Sequence, residues 1–378
     1  MMKRRICIGI LGGGQLARMS AIQAYKLGFD TAILEKQKNS PAGQLTKNEF
    51  VGWVDNEEVL KAFTDRSDII TLENEFIDHS YLKKIEKWGK KVIPSSGTIS
   101  LIQDKYVQKT TLRKNLIPVA DFIKVTPDTS YQKIKKEIGD RFLVKSRTMG
   151  YDGYGNASVK SEKELLKGFE KLKSRQSELY AEKFIEFEKE LAVMVVRTKK
   201  ETKVYPVAET IHRNHILHLV KAPAQLNKRL INKAKEIAVE AVKSVKGFGL
   251  FGIELFLEGK NILVNEMAPR PHNSGHYTIE ACVTSQFENH IRSVLNLPLG
   301  TTGLVKPYAV MINLLGKRNE VGIAENYNEA LSDPDVHLHI YGKEFSRTGR
   351  KMGHITITGN NLKRIFNKAV KAEKIIII

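Results

Sequence analysis

Between positions 250 and 276 the chain gathers Glu254, Asn265, Glu266, Arg270, His272, Asn273 and His276: carboxylates, amides, a guanidinium and imidazoles within one short stretch. Two apolar runs, 250–257 and 262–267, flank Glu258, Gly259, Lys260 and Asn261, and this pattern predicts two strands joined by a tight turn. With a three-residue loop, 259–261, Glu254 faces Glu266 across the ladder; a two-residue loop places them on opposite faces. Directly opposed side chains have Cβ atoms roughly 4.5 to 5.5 Å apart, and like charges there are destabilising. The facing register therefore calls for a cation between the two glutamates. Oxygen ligation with few protein carboxylates is the pattern of magnesium held jointly by protein and substrate phosphates. The competing reading is a surface hairpin with two solvated glutamates.

Other clusters could bind anions. Gly12, Gly14 and Ala17 match G-x-G-x-x-A, with Glu35 about 20 residues on, the dinucleotide-binding pattern. Its physical content is narrower: glycines let the backbone approach a bound group, and a helix N-terminus favours any anion, a phosphate included. A second glycine-rich loop, 148–156, follows Lys145; its amides could wrap a phosphate, but no G-K-[ST] follows to make a Walker sequence. Near the end, 341–351 packs Lys343, Arg347, Arg350 and Lys351 beside Gly342 and Gly349, an anion clamp or a basic loop. His212, His215 and His218 recur every third residue; neither strand nor helical spacing converges them, so no shared metal is expected.

The elements that position these groups can be read from the apolar runs. Runs at 6–11, 31–34, 67–72 and 91–94, alternating with helical stretches such as 15–27, predict an open, mostly parallel sheet with ligands at the strands' carboxyl ends, where Glu73 and Glu75 sit. A helix over 99–115 leads to a second unit with a helix at 130–138 and strands at 142–145 and 178–185. A third unit, from a strand at 191–197, carries the hairpin. At 378 residues the chain is long enough for two or three domains, and 42% hydrophobic with 27% charged residues is ordinary globular material. The net charge of +19 suggests nucleic acid. The lysines nevertheless fall on amphipathic helices such as 228–246, opposite a stripe of Leu230, Ala234, Ile237, Ala241 and Val245, so a solvated face accounts for the charge. No helix-turn-helix, RNP motif or zinc finger is present, and no nucleic-acid partner is expected. Cys7 and Cys282 lie in apolar runs, which fits a reducing cytoplasm. No run approaches the ~20 apolar residues of a membrane span, so no membrane partner is expected.

A lysine-bearing strand, a glycine-rich loop and paired carboxylates, in that order and without a Walker sequence, resemble the ATP-grasp superfamily. Within it, GGGQLARM, TLENEF, QDK, VKSRTMGYDGYGN, EKFIEFEKE, IELFLEGKNILVNEMAPRPHNSGH and GKEFSRTGRKMGH, in register over essentially the whole chain, resemble the 5-(carboxyamino)imidazole ribonucleotide synthases. The resemblance implies an α/β chain with an N-terminal Rossmann-like parallel-sheet domain (1–103), a linking helix with a small α+β lid domain (104–187) and a larger α+β C-terminal domain (188–378). It implies ATP as substrate with Mg2+, and a cytoplasmic homodimer. Lys105 and Lys145 would hold the ATP phosphates, and the loop of Gly150, Tyr151, Asp152, Gly153, Gly155 and Asn156 would close over them. Glu182, Lys183, Phe184 and Ile185 would meet adenine and Glu190 the ribose, with His212 and Asn265 near the nucleotide. Glu254 and Glu266 would bind magnesium. Arg270, His272 and Asn273 would surround bicarbonate. Lys343 and Arg350 would take the ribonucleotide phosphate or help position carboxyphosphate, and Gln15, Glu73, Tyr151 and Asp152 would complete the ribonucleotide side. The family usually carries a basic residue where Tyr154 stands, so Tyr154 is not counted as a ligand; either Lys160 or another cation would substitute, or substrate binding would be rearranged.

The implied reaction carboxylates the exocyclic amine of 5-aminoimidazole ribonucleotide with bicarbonate and ATP, in purine biosynthesis. Bicarbonate would attack the γ-phosphorus to give carboxyphosphate, which yields carbon dioxide in a closed site, with His272 handling a proton. An NAD-dependent oxidoreductase built on Gly12, Gly14, Ala17 and Glu35 leaves the glutamate pair, the second glycine loop and the basic C-terminal loop unexplained. Another carboxylate-amine ligase of the superfamily remains open.

Overall fold

The computed structural model describes residues 5–150, 155–173 and 178–378. Its first sheet comprises β1 (Cys7–Leu11), β2 (Asp30–Glu35), β3 (Asn48–Val51), β4 (Ile69–Leu72) and β5 (Lys91–Val92), all pairs parallel, in the order β3-β2-β1-β4-β5. Both faces are covered, which is why these strands read as continuous apolar runs rather than alternating ones. Cys7 and Leu11 pack with Leu60, Phe63, Leu82 and Ile85 on one side, while Ile8 and Ile10 pack with Ala17 and Ala24 on the other. Ile291 and Val294, from the helix Gln286–Val294 far along the chain, join the second cluster and fasten this sheet to the rest. The chain leaves β1 toward β2 and β3, then returns to β4. The crevice beyond the carboxyl ends of β1 and β4 is therefore the topological switch point. Gly12 to Gly14 and Glu73 to Glu75 both emerge there.

The second sheet is antiparallel, in the order β6-β9-β7-β8, from β6 (Phe122–Val125), β7 (Phe142–Ser146), β8 (Asn156–Val159) and β9 (Leu179–Lys183). The helices Tyr131–Ile138 and Glu162–Lys173 close one face through Ile134, Ile138, Leu165 and Leu172.

The third sheet has nine strands: β10 (Lys189–Arg197), β11 (Thr202–Val204), β12 (Ala208–Arg213), β13 (Ile216–Ala222), β14 (Gly249–Glu258), β15 (Asn261–Ala268), β16 (Tyr308–Leu315), β17 (His337–Ile340) and β18 (Lys351–Gly359). The order is β15-β14-β10-β12-β13-β16-β18-β17, with β11 on β10. The helix Lys228–Ser244, opened by the Asn227 side chain on the Leu230 amide, lays Ala234, Ala238 and Ala241 on Leu191, Val193, Val195, Ile253 and Leu255. Alternation then turns Glu190 and Glu254 to the other face.

Two expectations need correction. The helix expected over 99–115 is two helices, Ser96–Ser100 and Lys105–Lys114. The Asp104 carboxylate accepts the amides of Tyr106 and Val107, a cap that starts a new helix and makes Lys105 its first residue. In the hairpin, Glu258 pairs with Asn261, so the turn is the two-residue Gly259-Lys260, the case expected to separate the glutamates. They face each other nonetheless. Leu255 pairs with Val264 but Glu254 with Glu266, leaving Asn265 as an extra residue, a β-bulge. The bulge lets Ile262, Val264 and Met267 all enter the same core while Glu266 crosses to the open face.

Candidate active site

The open face of β10, β12, β14 and β15 concentrates charge. Glu254 and Glu266 are cross-strand partners, and the Asn265 amide reaches Glu254 at 3.4 Å. Burial first, and then the neighbouring Glu266 charge, push the Glu254 carboxyl up to about 7. A lysine meets the pair from one side: Lys105 Nζ lies 2.7 Å from the Glu266 carboxylate. Burial opposes that ammonium, but Glu266, Glu254 and Glu75 more than offset it and hold its pKa above the ordinary lysine value. Beside them the Glu190 carboxylate contacts His212 Nδ1. Burial alone would discharge that imidazole, yet Glu190 holds its pKa up. An all-oxygen pair of carboxylates whose mutual repulsion raises one pKa has the chemistry of a hard divalent cation site.

Lys145 lies on β7, where burial leaves it beside Glu182 at 3.3 Å. Sequence reasoning missed the third member of this group. Lys109, one helical turn beyond Lys105, is 2% exposed and sits 3.3 Å from the other oxygen of Glu182, itself 2% exposed. Burial lowers the Lys109 pKa, and two ammoniums overcome burial to keep Glu182 below the ordinary carboxylate range. A lysine on a helix reads by default as solvated, so only the fold exposes this one. Past Glu182, the amides of Lys183 and Phe184 are bonded to the carbonyls of Asp121 and Arg141, and Ile185 follows, buried. The start of the Lys105 helix is tied to the exit of β7: the Lys105 amide donates to the Arg147 carbonyl at 2.8 Å, and the Arg147 guanidinium bonds Asp104 at 2.6 Å.

At the switch point the first glycine turn departs from expectation. Its amides are not presented to a ligand: Gly13 donates to Glu35 at 2.8 Å, and Gly14 and Leu16 donate to Glu73 at 2.5 and 3.1 Å. The chain's own carboxylates occupy the anion site of the Gln15–Lys26 helix, which removes the physical basis of the dinucleotide reading. Burial raises the Glu73 pKa although the Gly14 amide opposes it. Gln15 opens that helix at the same crevice. Glu75 instead reaches across to Arg270, which donates to it from two nitrogens.

His272 caps the turn that follows β15, accepting the Ser274 amide on Nδ1, with the Ser274 hydroxyl 2.7 Å away. A nitrogen that accepts an amide carries no proton, so Nε2, 3.6 Å from Glu254, bears the hydrogen. Burial, and then Arg270, push this imidazole well below its ordinary pKa. In that tautomer it is a neutral donor toward Glu254. The Asn273 amide exchanges two hydrogen bonds with Asn313, at 2.9 and 2.6 Å, locking the turn to β16. Lys343 donates to the Lys351 carbonyl at 2.7 Å and is pushed down to about 7 by burial and then Arg350. Arg350 holds the Phe345 carbonyl at 2.6 Å and so braces the basic loop.

Gly150 ends β7's exit, while Gly155 and Asn156 begin the return, with Gly155 at φ +90° and Asn156 paired to Lys145. Tyr151, Asp152, Gly153 and Tyr154 lie outside the described residues. Of the three spaced histidines, His212 meets Glu190 and His218 meets Glu373 at 2.6 Å, and they share no site. Glu280, His339 and His354 do gather within 4.8 Å. The two imidazoles are stacked parallel, 4.4 Å apart and 6° from coplanar orientation, so one ion cannot lie in both ring planes. No helix among the described residues is long and apolar enough to cross a membrane.

Comparison with known proteins matches three family models along the chain: the ribonucleotide synthetase preATP-grasp domain at 2–103, the ATP-grasp domain at 110–287 and the phosphoribosylaminoimidazole carboxylase C-terminal domain at 309–368. The phosphoribosylaminoimidazole carboxylase of Candida glabrata is 45% identical over 94% of this chain, which spans 64% of that longer protein. The N5-carboxyaminoimidazole ribonucleotide synthase of Staphylococcus aureus is 39% identical over 94% of both chains. Among solved structures, the N5-carboxyaminoimidazole ribonucleotide synthetase of Thermotoga maritima superposes with a TM-score of 0.88 at 42% identity, covering 98% of this chain and 99% of that one. The Aspergillus clavatus synthase in complex with ADP and 5-aminoimidazole ribonucleotide gives 0.89 at 35%, covering 98% of each. Sequence likeness and shared fold thus extend over nearly the full length, and the chain belongs to the N5-carboxyaminoimidazole ribonucleotide synthase family of ATP-grasp proteins.

Proposed function

We propose that the chain is an ATP-dependent ligase that carboxylates the exocyclic amine of 5-aminoimidazole ribonucleotide with bicarbonate, forming N5-carboxyaminoimidazole ribonucleotide in purine biosynthesis. The observation that carries this reading is the facing pair Glu254 and Glu266, with Lys105 against it, together with a second, basic cluster at Lys343, Arg347, Arg350 and Lys351. Glu254 and Glu266 would hold Mg2+, for which an all-oxygen donor set with a raised carboxyl pKa is suited. Bound there, the ion neutralises charge on a transferring phosphoryl group.

Phosphoryl transfer asks the protein mainly for positioning and charge neutralisation. Lys105 and Lys145 would orient the ATP phosphates, with residues 150–156 closing over them to exclude water from the mixed anhydride. With the Lys183 and Phe184 amides already bonded, the adenine edge would meet the amide of Ile185 and the carbonyls of this run. Glu190, fixed by His212, would take the ribose hydroxyls, and Asn265 would approach the nucleotide from beside Glu254. Arg270 and the Nε2–H of His272 would donate to bicarbonate and to the carboxyphosphate formed from it. Asn273 would hold this turn in place through Asn313. The amine of the ribonucleotide then attacks carbon dioxide, and the phosphate released with it accepts the proton. Lys343 and Arg350 would receive the ribonucleotide phosphate, with Gln15 and Glu73 lining that side, joined by Tyr151 and Asp152.

Three units, 1–103, 104–187 and 188–378, would divide this work, each having its own sheet. A homodimer in the cytoplasm is the further expectation. Exposed Val321 and Phe345, bridged through their backbones, with Ile323 beside them, offer an apolar patch for it, and two free, buried cysteines suit a reducing compartment. The test is ADP release with bicarbonate, with and without 5-aminoimidazole ribonucleotide. Stimulation by the ribonucleotide is expected, and its absence would overturn the reading.

A further inference from the structure

Arg270 and Glu75 join two parts of the fold. Glu75 leaves the carboxyl end of β4, Arg270 follows β15, and both side chains are nearly buried, 15% and 10% exposed for Arg270 and Glu75. Arg270 Nη2 donates to Glu75 Oε1 at 3.0 Å, Nε donates to Oε2, and Nη1 donates to the Pro271 carbonyl at 3.2 Å.

A guanidinium has five N–H groups in a fixed plane. The side edge, Nε with one hydrogen of Nη2, is filled by Glu75. The Nη1 hydrogen on the backbone side is taken by Pro271. Among the described residues the remaining two, one each on Nη1 and Nη2, are left parallel and off the end of the side chain. Two parallel N–H groups match two oxygens of one planar anion. Without Glu75 the same guanidinium would be free to turn toward Glu266 or Glu73, whose charges also act on it.

We propose that Glu75 is a positioning residue that aims the end of Arg270 at a planar, carboxylate-like anion: bicarbonate, and then the carboxyl end of carboxyphosphate. This rests on the bicarbonate-dependent activity proposed above. Glu75 touches neither anion; it sets the angle at which Arg270 meets them.

The experiment is steady-state kinetics of the full chain with Glu75→Ala, Glu75→Gln and Glu75→Asp, measuring KM for bicarbonate and for ATP, and ADP released per carboxylated product. For Glu75→Ala the KM for bicarbonate should rise at least tenfold while the KM for ATP stays within twofold. ADP released per product should climb above one, because a misheld anhydride is lost to water. Glu75→Asp, which keeps the charge, should recover part of the bicarbonate KM. If the alanine variant fails to fold by circular dichroism, Glu75→Gln, which keeps one acceptor, carries the same comparison. A bicarbonate KM within twofold of the parent, or an equal rise in both KM values, would overturn the positioning role. If the unmutated chain releases ADP without responding to bicarbonate, the parent reading falls, and this proposal with it.

Discussion

Lys105 Nζ sits 2.7 Å from the Glu266 carboxylate, so the repulsion between Glu254 and Glu266 is met by an ammonium from a helix that begins at that residue. Replacing Glu266 by Gln or Ala should lower turnover by about 100-fold or more, the scale seen when one electrostatic contact to a transition state is lost. Folding should survive, since the side chain is 32% exposed. Steady-state ADP release and far-ultraviolet circular dichroism check the two halves of this expectation. Normal turnover in the variant would remove Glu266 from the site.

The raised Glu254 carboxyl makes stability depend on pH in a defined direction. An unfolded glutamate titrates near about 4.3. In the metal-free fold this one holds its proton up to about 7. Between those values the folded chain binds a proton that the unfolded chain has lost, so stability falls as pH rises and the loss is complete above 7. Screening at a side chain 30% exposed leaves about 1–2 kcal/mol. Glu254→Gln should therefore be more stable than the parent at pH 8 in EDTA and indistinguishable at pH 4.5, as read by thermal unfolding.

Glu182 shares its two oxygens between Lys109 and Lys145. Removing it leaves two largely buried ammoniums without a counter-charge, and breaking a buried pair from one side costs about 3–5 kcal/mol. Glu182→Ala should unfold at markedly lower urea concentration than Lys109→Met, which leaves Glu182 one partner. Equal midpoints would show that the carboxylate is not shared.

Deleting Asn265 should convert the bulged hairpin into a regular one. Glu266 would then follow Val264 directly, and alternation would keep it on the open face opposite Glu254. The deletion and Asn265→Ala should therefore both retain most magnesium-dependent nucleotide binding in calorimetry, and loss in the deletion alone would show that the bulge itself shapes the site.

Lys343 has its pKa pushed down to about 7. Its charge is present below that value and lost above it, so the KM for the ribonucleotide should rise between pH 6.5 and 8.5. Lys343→Met should raise that KM at pH 6.5 and flatten its pH dependence.

Much of this architecture is local and was legible in residue types. Apolar runs ending in Gly12 and Glu73 mark parallel strands, and alternation around Glu254 marks a strand buried on one face. The bulge at Asn265 was not legible, because an inserted residue shows only once Ile262, Val264 and Met267 are known to share a core. The break at Asp104 was partly legible: an aspartate ahead of a helical stretch is a cap signal, but the apolar spacing on either side reads as one helix. Glu73 on the Gly14 amide and Lys109 on Glu182 depend on groups distant in sequence. Residue type alone suggests the opposite for both, a ligand-facing carboxylate and a solvated lysine.

The bond from the Lys105 amide to the Arg147 carbonyl, with Asp104 gripping the Arg147 guanidinium, acts as a mechanical bracket. Lys145, two residues before Arg147, and Lys105, one after Asp104, are mounted on the same rigid corner. The same helix is pinned to the third sheet, where the Gln108 side chain bonds the Met267 backbone in both directions, so this corner is a seam that ties the exit of β7 to β15 and sets the spacing of the two ammoniums from both sides.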